Sequence, residues 1–171
     1  MPPRNEKVEE FESAALPYLN ELYRTASRLT GSPAEAQDIV QNVYLQAWKS
    51  FHRFQSGTNC RAWLFKILLN EVRHHRRRQS NCKILDDDQA LDEAASVDPI
   101  PETLTHEGLL AALEALPSEY REVVLLADVE EFAYREIAEI LKVPVGTVMS
   151  RLSRARKQLR IKLKGMSREK S

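Results

Sequence analysis

The stretch from Arg135 to Leu159, REIAEILKVPVGTVMSRLSRARKQL, decides the fold. Wound at about 100° per residue, the segment puts Val145, Val148, Leu152 and Ala155 on one narrow face, which Leu159 and Leu163 extend. That face is predicted to pack inward. The opposite face carries Gly146, Thr147, Ser150, Ser153, Arg154 and Lys157, with Arg151, Arg156 and Arg160 on the flanks. Small residues at the front of such a helix let its backbone approach a partner, and arginines behind them reach phosphates or guanine edges. YREIAEIL patterns as a short helix ahead of a turn at KVP, with small Ala138 where two helices must cross and Val148 as a core contact. The spacing predicts a helix-turn-helix. A basic amphipathic helix that covers its neighbours, or that binds an acidic protein, would show the same wheel.

Working outward, the rest of the chain also reads as helices. LLAALEALP and SEYREVVLLADV precede the helix-turn-helix. Near the start, Val8, Phe11, Ala15, Leu19, Leu22, Ala26 and Leu29 recur at three and four residue spacing, a stripe that Pro17 interrupts and Gly31 ends. Ser32-Pro33-Ala34-Glu35 then supplies an N-cap, a proline at the first helical position and a glutamate placed to bond back to the cap. Ala36, Ile39, Val40, Val43, Ala47, Trp48 and Phe51 form the apolar face that follows. After the polar loop RFQSGTN, a further helix begins near Asn59 and carries Trp63, Leu64, Ile67, Leu68 and Val72. The expectation is an all-α chain of two small helical domains, residues 6–83 and 108–171, joined by an acidic flexible linker over 84–107.

Charge supports that division. The 171 residues hold 25 Lys and Arg against 25 Asp and Glu, yet the signs are sorted along the chain. Arg73, Arg76, Arg77, Arg78 and Lys83 form a run without an acid, eight acids follow from Ile84 to Glu107, and ten basic residues face Glu169 alone from Lys142 onward. Two basic surfaces on an acidic tether result, although solvated helix faces would give the same sorting. No apolar run is long enough to span a bilayer, and MPPRNEKVEEFES lacks the order of a secretory signal, so a cytoplasmic protein without membrane insertion is expected. Cys60 and Cys82 make no CxxC, and His74 and His75 have no companion at ligand spacing, so neither a metal nor another cofactor is expected. No nucleophile arrangement or phosphate-cradling glycine motif points to an enzyme.

REIAEILKVPVGTVMSRLSRARKQL resembles the promoter-reading helix-turn-helix of the extracytoplasmic-function sigma factors, specificity subunits of bacterial RNA polymerase. SPAEAQDIVQNVYLQAWKSF looks like that family's polymerase-clamp helix, and FQSGTNCRAWLFKILLNEVRHHRRR resembles its segment for melting and reading the −10 element. The resemblance implies that residues 6–83 dock on the β′ clamp helices of core polymerase through Asp38, Gln41 and Asn42. It implies that Phe54 meets a flipped base, that Asn70 and His74 read bases, and that Arg73, Arg76 and Arg77 hold phosphates. Residues 108–171 would dock on the β flap and enter the −35 major groove with Thr147, Ser150, Arg151, Arg154 and Lys157, and an anti-sigma protein is the implied regulator. In the family, each DNA-binding face of the free subunit is buried against the other domain or the anti-sigma protein.

Four positions depart from the family pattern. Asn42 replaces an acid. Ala133 stands where a serine N-cap is usual, a loss of roughly 0.5–2 kcal/mol that predicts a loose helix start. Lys142 occupies a turn position where glycine is common, at a cost of about 1 kcal/mol if left-handed. Met149 replaces a basic residue, so the DNA contact there should be apolar or absent. Trp63, on the buried stripe, reads as core. A conventional duplex-binding repressor or activator, with the first half as a ligand or dimerisation domain, is the competing class.

Overall fold

The computed structural model describes residues 3–79 and 105–169, and among them every regular element is a helix. The N-terminal bundle consists of α1 (Arg4–Ala15), α2 (Leu19–Thr30), α3 (Pro33–Ser50) and α4 (Cys60–Gln79). The C-terminal bundle consists of α5 (His106–Glu114), α6 (Ser118–Val124), α7 (Tyr134–Leu141) and α8 (Val145–Glu169). Two of the expected boundaries shift: α1 starts at Arg4, ahead of residue 6, and Thr105 caps α5 so that the helix begins inside the predicted linker. Most of that linker, with Cys82 and Lys83, lies outside the described residues.

Local chemistry sets the helix ends. Pro17 lies in a 3-10 turn, Leu16–Tyr18, between α1 and α2. The tighter winding shifts the phase of the apolar stripe, so Leu22, Ala26 and Leu29 are buried whereas Leu19, expected on the same stripe, is exposed. Gly31 closes α2 in the left-handed region at φ 70°, and a Cβ there would lie 3.3 Å from the Glu114 carboxylate. Ser32 Oγ accepts from Glu35 N at 3.3 Å, as an N-cap should. Glu35 does not bond back to the cap. Its carboxylate accepts from Gln79 at 2.7 Å instead, which ties the start of α3 to the end of α4.

In the C-terminal bundle α6 runs into a wide π turn, Leu125–Val129, closed by Glu130 N donating to Leu125 O at 2.9 Å. Lys142 is left-handed, with φ 56° and ψ 46°, the conformation that costs a non-glycine residue about 1 kcal/mol. The start of α7 is firmer than Ala133 alone would make it. Alanine offers no side-chain acceptor, but the Glu136 carboxylate accepts from Ala133 N at 2.9 Å, which keeps one half of a capping box. Along α8, Val148, Leu152, Ala155 and Leu163 are buried as the wheel requires. Val145 is the exception, exposed in the first turn, where it borders an open cavity shared with Arg135, Ala138 and Glu139 of α7.

A single apolar cluster runs through both bundles. Phe65 of α4, fully buried, meets Phe132 edge to face at 5.0 Å between ring centres. Around this wedge lies a rim of charge-assisted bonds. Arg61 stacks 4.0 Å over the Phe132 ring and pairs with both Glu21 and Glu130, and Thr25 Oγ1 donates to Glu130 at 2.6 Å. Arg121 donates to the carbonyls of Leu113, Glu114 and Leu116 at the end of α5 and to Leu29 O at the end of α2. One guanidinium thus closes the C-termini of helices from both bundles.

Candidate polymerase and nucleic-acid interfaces

The first candidate surface is the outer face of α3. Helical spacing places Asp38, Gln41 and Asn42 side by side, and all three are exposed. Leu45 continues the line one turn on and is 49% exposed, so this polar face carries an apolar side chain at its end. Sequence reasoning omitted Leu45, although the spacing of three from Asn42 was a signal for it.

The second surface begins at the loop after α3. Phe54 stacks on Phe51 with ring centres 5.8 Å apart and leans on Trp63 at 4.8 Å. Trp63 is half-buried against the core, in keeping with its expected packing role. Asn59 opens α4 by accepting from Ala62 N at 3.0 Å, and its amide donates to Glu136 at 2.7 Å. Each of these residues caps a helix of its own bundle, so the two helix starts clasp one another. Farther along α4, Asn70, His74 and Arg77 share one exposed face. Arg73 and Arg76 do not share it. They turn to the C-terminal bundle and hold Glu122, Arg73 Nη2 on Oε2 at 3.0 Å and Arg76 Nη1 on Oε1 at 2.9 Å. Glu122 is 2% exposed.

The third surface is the front of α8. Gly146, Met149, Ser150 and Ser153 are exposed, while Thr147, Arg154 and Lys157 are half-buried beside them. Met149, at 54% exposure, gives this front an apolar point. Arg151 lies 3.5 Å from Glu119, and Arg156 donates twice to Asp128, at 2.6 and 3.1 Å. Both acids belong to the same bundle as α8. The Asp128 bonds hold the Arg156 proton more firmly than usual and fix that side chain on the flank, where the wheel put it. Ahead of α8, an open cavity of about 540 Å³ is lined by Arg135, Ala138, Glu139 and Lys142 through Val145.

Electrostatics distinguishes the seam between bundles from these open faces. Burial, reinforced by the neighbouring Glu21, pushes the Glu130 carboxyl up from its ordinary value. Burial acts on Glu21 in the same direction and is the largest single influence, but hydrogen bonds with Arg61 and Glu130 and the charges of Arg61 and Arg24 together outweigh it and hold Glu21 low. Burial also lowers Arg121, and Arg76 adds to the effect. Elsewhere burial raises the Cys60 thiol, and it pushes Tyr44 up to about 12 while the Tyr44 hydroxyl donates to Ala15 O at 2.8 Å. Among the described residues no group of three His, Cys, Asp or Glu side chains converges as metal ligands would, and no helix is long and apolar enough to cross a membrane.

Comparison with known proteins finds matches over both bundles. Residues 15–82 match the sigma-70 region 2 model and residues 106–159 the sigma-70 region 4 model. The ECF RNA polymerase sigma factor EcfG of Rhodopseudomonas palustris (strain TIE-1) is 35% identical over 147 residues, covering 85% of this chain and 79% of that protein. ECF RNA polymerase sigma factor SigE of Mycolicibacterium smegmatis is 35% identical over 162 residues, and the match spans 87% of this chain but 63% of that longer relative. Among solved structures, the sigma factor RpoE of Bartonella quintana in complex with the anti-sigma factor NepR superposes with a TM-score of 0.74 at 32% identity, covering 91% of this chain and 98% of that one.

Proposed function

The chain belongs to the extracytoplasmic-function sigma factors, and from that premise we propose that it directs core RNA polymerase to particular promoters and starts their melting. The observation that carries this reading is the pairing, on one chain and in the family's order, of a region 2 match with a region 4 match. A repressor with a ligand-binding first half has no use for the region 2 segment.

In this reading Asp38, Gln41 and Asn42, with Leu45 beside them, meet the β′ clamp helices. Their exposure in the closed chain supports the assignment, since polymerase can reach them before the bundles part. Phe54 receives an extruded base on an aromatic corner already formed by Phe51 and Trp63. Asn70 and His74 read the strand, and Arg73, Arg76 and Arg77 hold its phosphates. On α8, Thr147, Ser150 and Arg154 face the −35 major groove, and Arg151 and Lys157 reach the backbone beside it. The C-terminal bundle also meets the β flap. The protein acts in the cytoplasm as a transcription regulator rather than an enzyme, without a cofactor, under the control of an anti-sigma protein.

Run-off transcription with purified core polymerase and a promoter library tests the proposal. Initiation from a defined subset of promoters, absent with core alone, is the expected result. Sequence-specific duplex binding without any effect on core transcription would establish the repressor class instead.

A further inference from the structure

The seam between the bundles contains one contact that the proposed activity does not explain. Glu122 lies in an otherwise apolar helix segment, EVVLL, next to Val123 and Val124, and its carboxylate is closed off from water. Its two oxygens take one guanidinium each, from Arg73 and from Arg76. Both arginines come from α4 of the other bundle. A buried ion pair adds little net stability, because desolvation of the charges offsets their attraction, and apolar residues of similar volume commonly do as well. What a carboxylate offers here, and a leucine does not, is a bond that another anion can replace.

We propose that Glu122 stands in for a DNA phosphate: closed in this way, the chain occupies the arginines of α4 with its own carboxylate, so closure and single-stranded DNA compete for Arg73 and Arg76. The proposal rests on the assignment of α4 to the melted strand, and it adds an asymmetry. Among the described residues no acid of the N-terminal bundle pairs with Arg151 or Arg156 of α8, whose partners Glu119 and Asp128 travel with it. The lock acts on the α4 surface and does not engage these arginines of α8.

The geometry supplies the parts of an exchangeable lock. An arginine pair that donates to the two oxygens of one planar carboxylate also suits two oxygens of one phosphate. Arg121 stands close enough to Arg76 for each to feel the other's charge, so the pocket around Glu122 holds more positive than negative charge. When the bundles part, Arg121 keeps its three carbonyl partners on the end of α5 and leaves with the C-terminal bundle. Arg73 and Arg76 stay on α4, next to exposed His74 and Arg77.

The test uses the full chain and a fluorescein-labelled oligothymidylate of about fifteen nucleotides, a length within the range that one such surface covers. Glu122→Gln keeps the shape and removes the charge. If the closed form outnumbers the open one by about ten to one, this variant should bind the probe about tenfold more tightly than the native chain. The gain should vanish when Arg73→Ala and Arg76→Ala are added. Equal affinity in the folded Glu122→Gln and native chains overturns the proposal. A second measurement needs no variant: hydrogen exchange of the native chain with and without saturating probe. Loss of protection in α6 and α7 on DNA binding supports competition, and unchanged protection there overturns it, whether or not Glu122→Gln folds. Neither readout involves polymerase, so failure here and failure of the run-off assay are separate results.

Discussion

Helices α4 and α8 are both long and rich in arginine, and the sequence gives them the same apparent purpose. They differ in what lies opposite. On α4, Arg73 and Arg76 are joined to Glu122 across the seam, while Arg151 and Arg156 of α8 pair with acids of their own bundle, Glu119 and Asp128. The contrast teaches that a basic run states which surface can bind a polyanion and leaves open whether the surface is available. Availability depends on an acid elsewhere in the chain.

The contrast can be broken by removing the wedge that keeps α4 covered. Phe132→Ala takes a buried ring away from Phe65 and from beneath Arg61, and truncations of this kind cost about 3–5 kcal/mol. Urea denaturation should register that loss. A loss under about 1 kcal/mol would mean that the seam is held by its charged rim and not by its apolar centre.

A smaller effect sharpens the α8 side. If Arg154 reads a base, Arg154→Ala should cost about 1–3 kcal/mol at the preferred −35 sequence and relax discrimination at one position. Arg160→Ala should weaken all sequences evenly. Transcription from a −35 library at two salt concentrations separates the two outcomes. A uniform drop for both variants would reduce Arg154 to an electrostatic contact and leave base reading to Thr147 and Ser150.

The smallest expected effect is on pH. Glu130 is held above the ordinary carboxylate value of 4.5 when the bundles are joined, so the joined state binds its proton more readily than the separated state. Closure should therefore strengthen slightly as pH falls from neutrality towards 4.5. Glu21 is held below 4.5, so its contribution is present above that value and is lost as pH falls further. Exchange protection of α6 measured across this range should pass through a shallow maximum, and Glu130→Gln should flatten its neutral side. A monotonic fall from neutrality would show that Glu130 ionises freely at the seam.

The fold was legible where local chemistry decides it. Gly31, Ser32 and Pro33 mark a helix end and start without ambiguity, and the three-four spacing of Val148, Leu152 and Ala155 allows only one inward face. Leu19 and Val145 were misplaced because periodicity assumes an unbroken helix packed along its whole length. The 3-10 turn at Pro17 defeats the first assumption, and the exposed opening turn of α8 defeats the second. Glu35 was misread for a related reason, since the competing partner, Gln79, is 44 residues away. The exposed candidates on α3, α4 and α8 were visible as polar positions on amphipathic helices. The seam was not, because Arg61, Arg121, Glu122 and Glu130 gain their roles only when the bundles meet. A single acid ahead of VVLL was the one local sign that such a meeting takes place.

The π turn between Leu125 and Val129 has a consequence for changes in chain length. Glu122 and Glu130, eight positions apart, would lie about 80° out of line on a regular helix, and a turn that absorbs one residue reduces this to about 20°. Both acids then face the same bundle. A descendant shortened by one residue within the turn could wind as ordinary α-helix and keep that alignment. One lengthened by a residue would have no second wide turn to absorb it, and would carry its counterpart of Glu130 off the seam. At this point in the chain, deletion is the tolerated event and insertion the disruptive one.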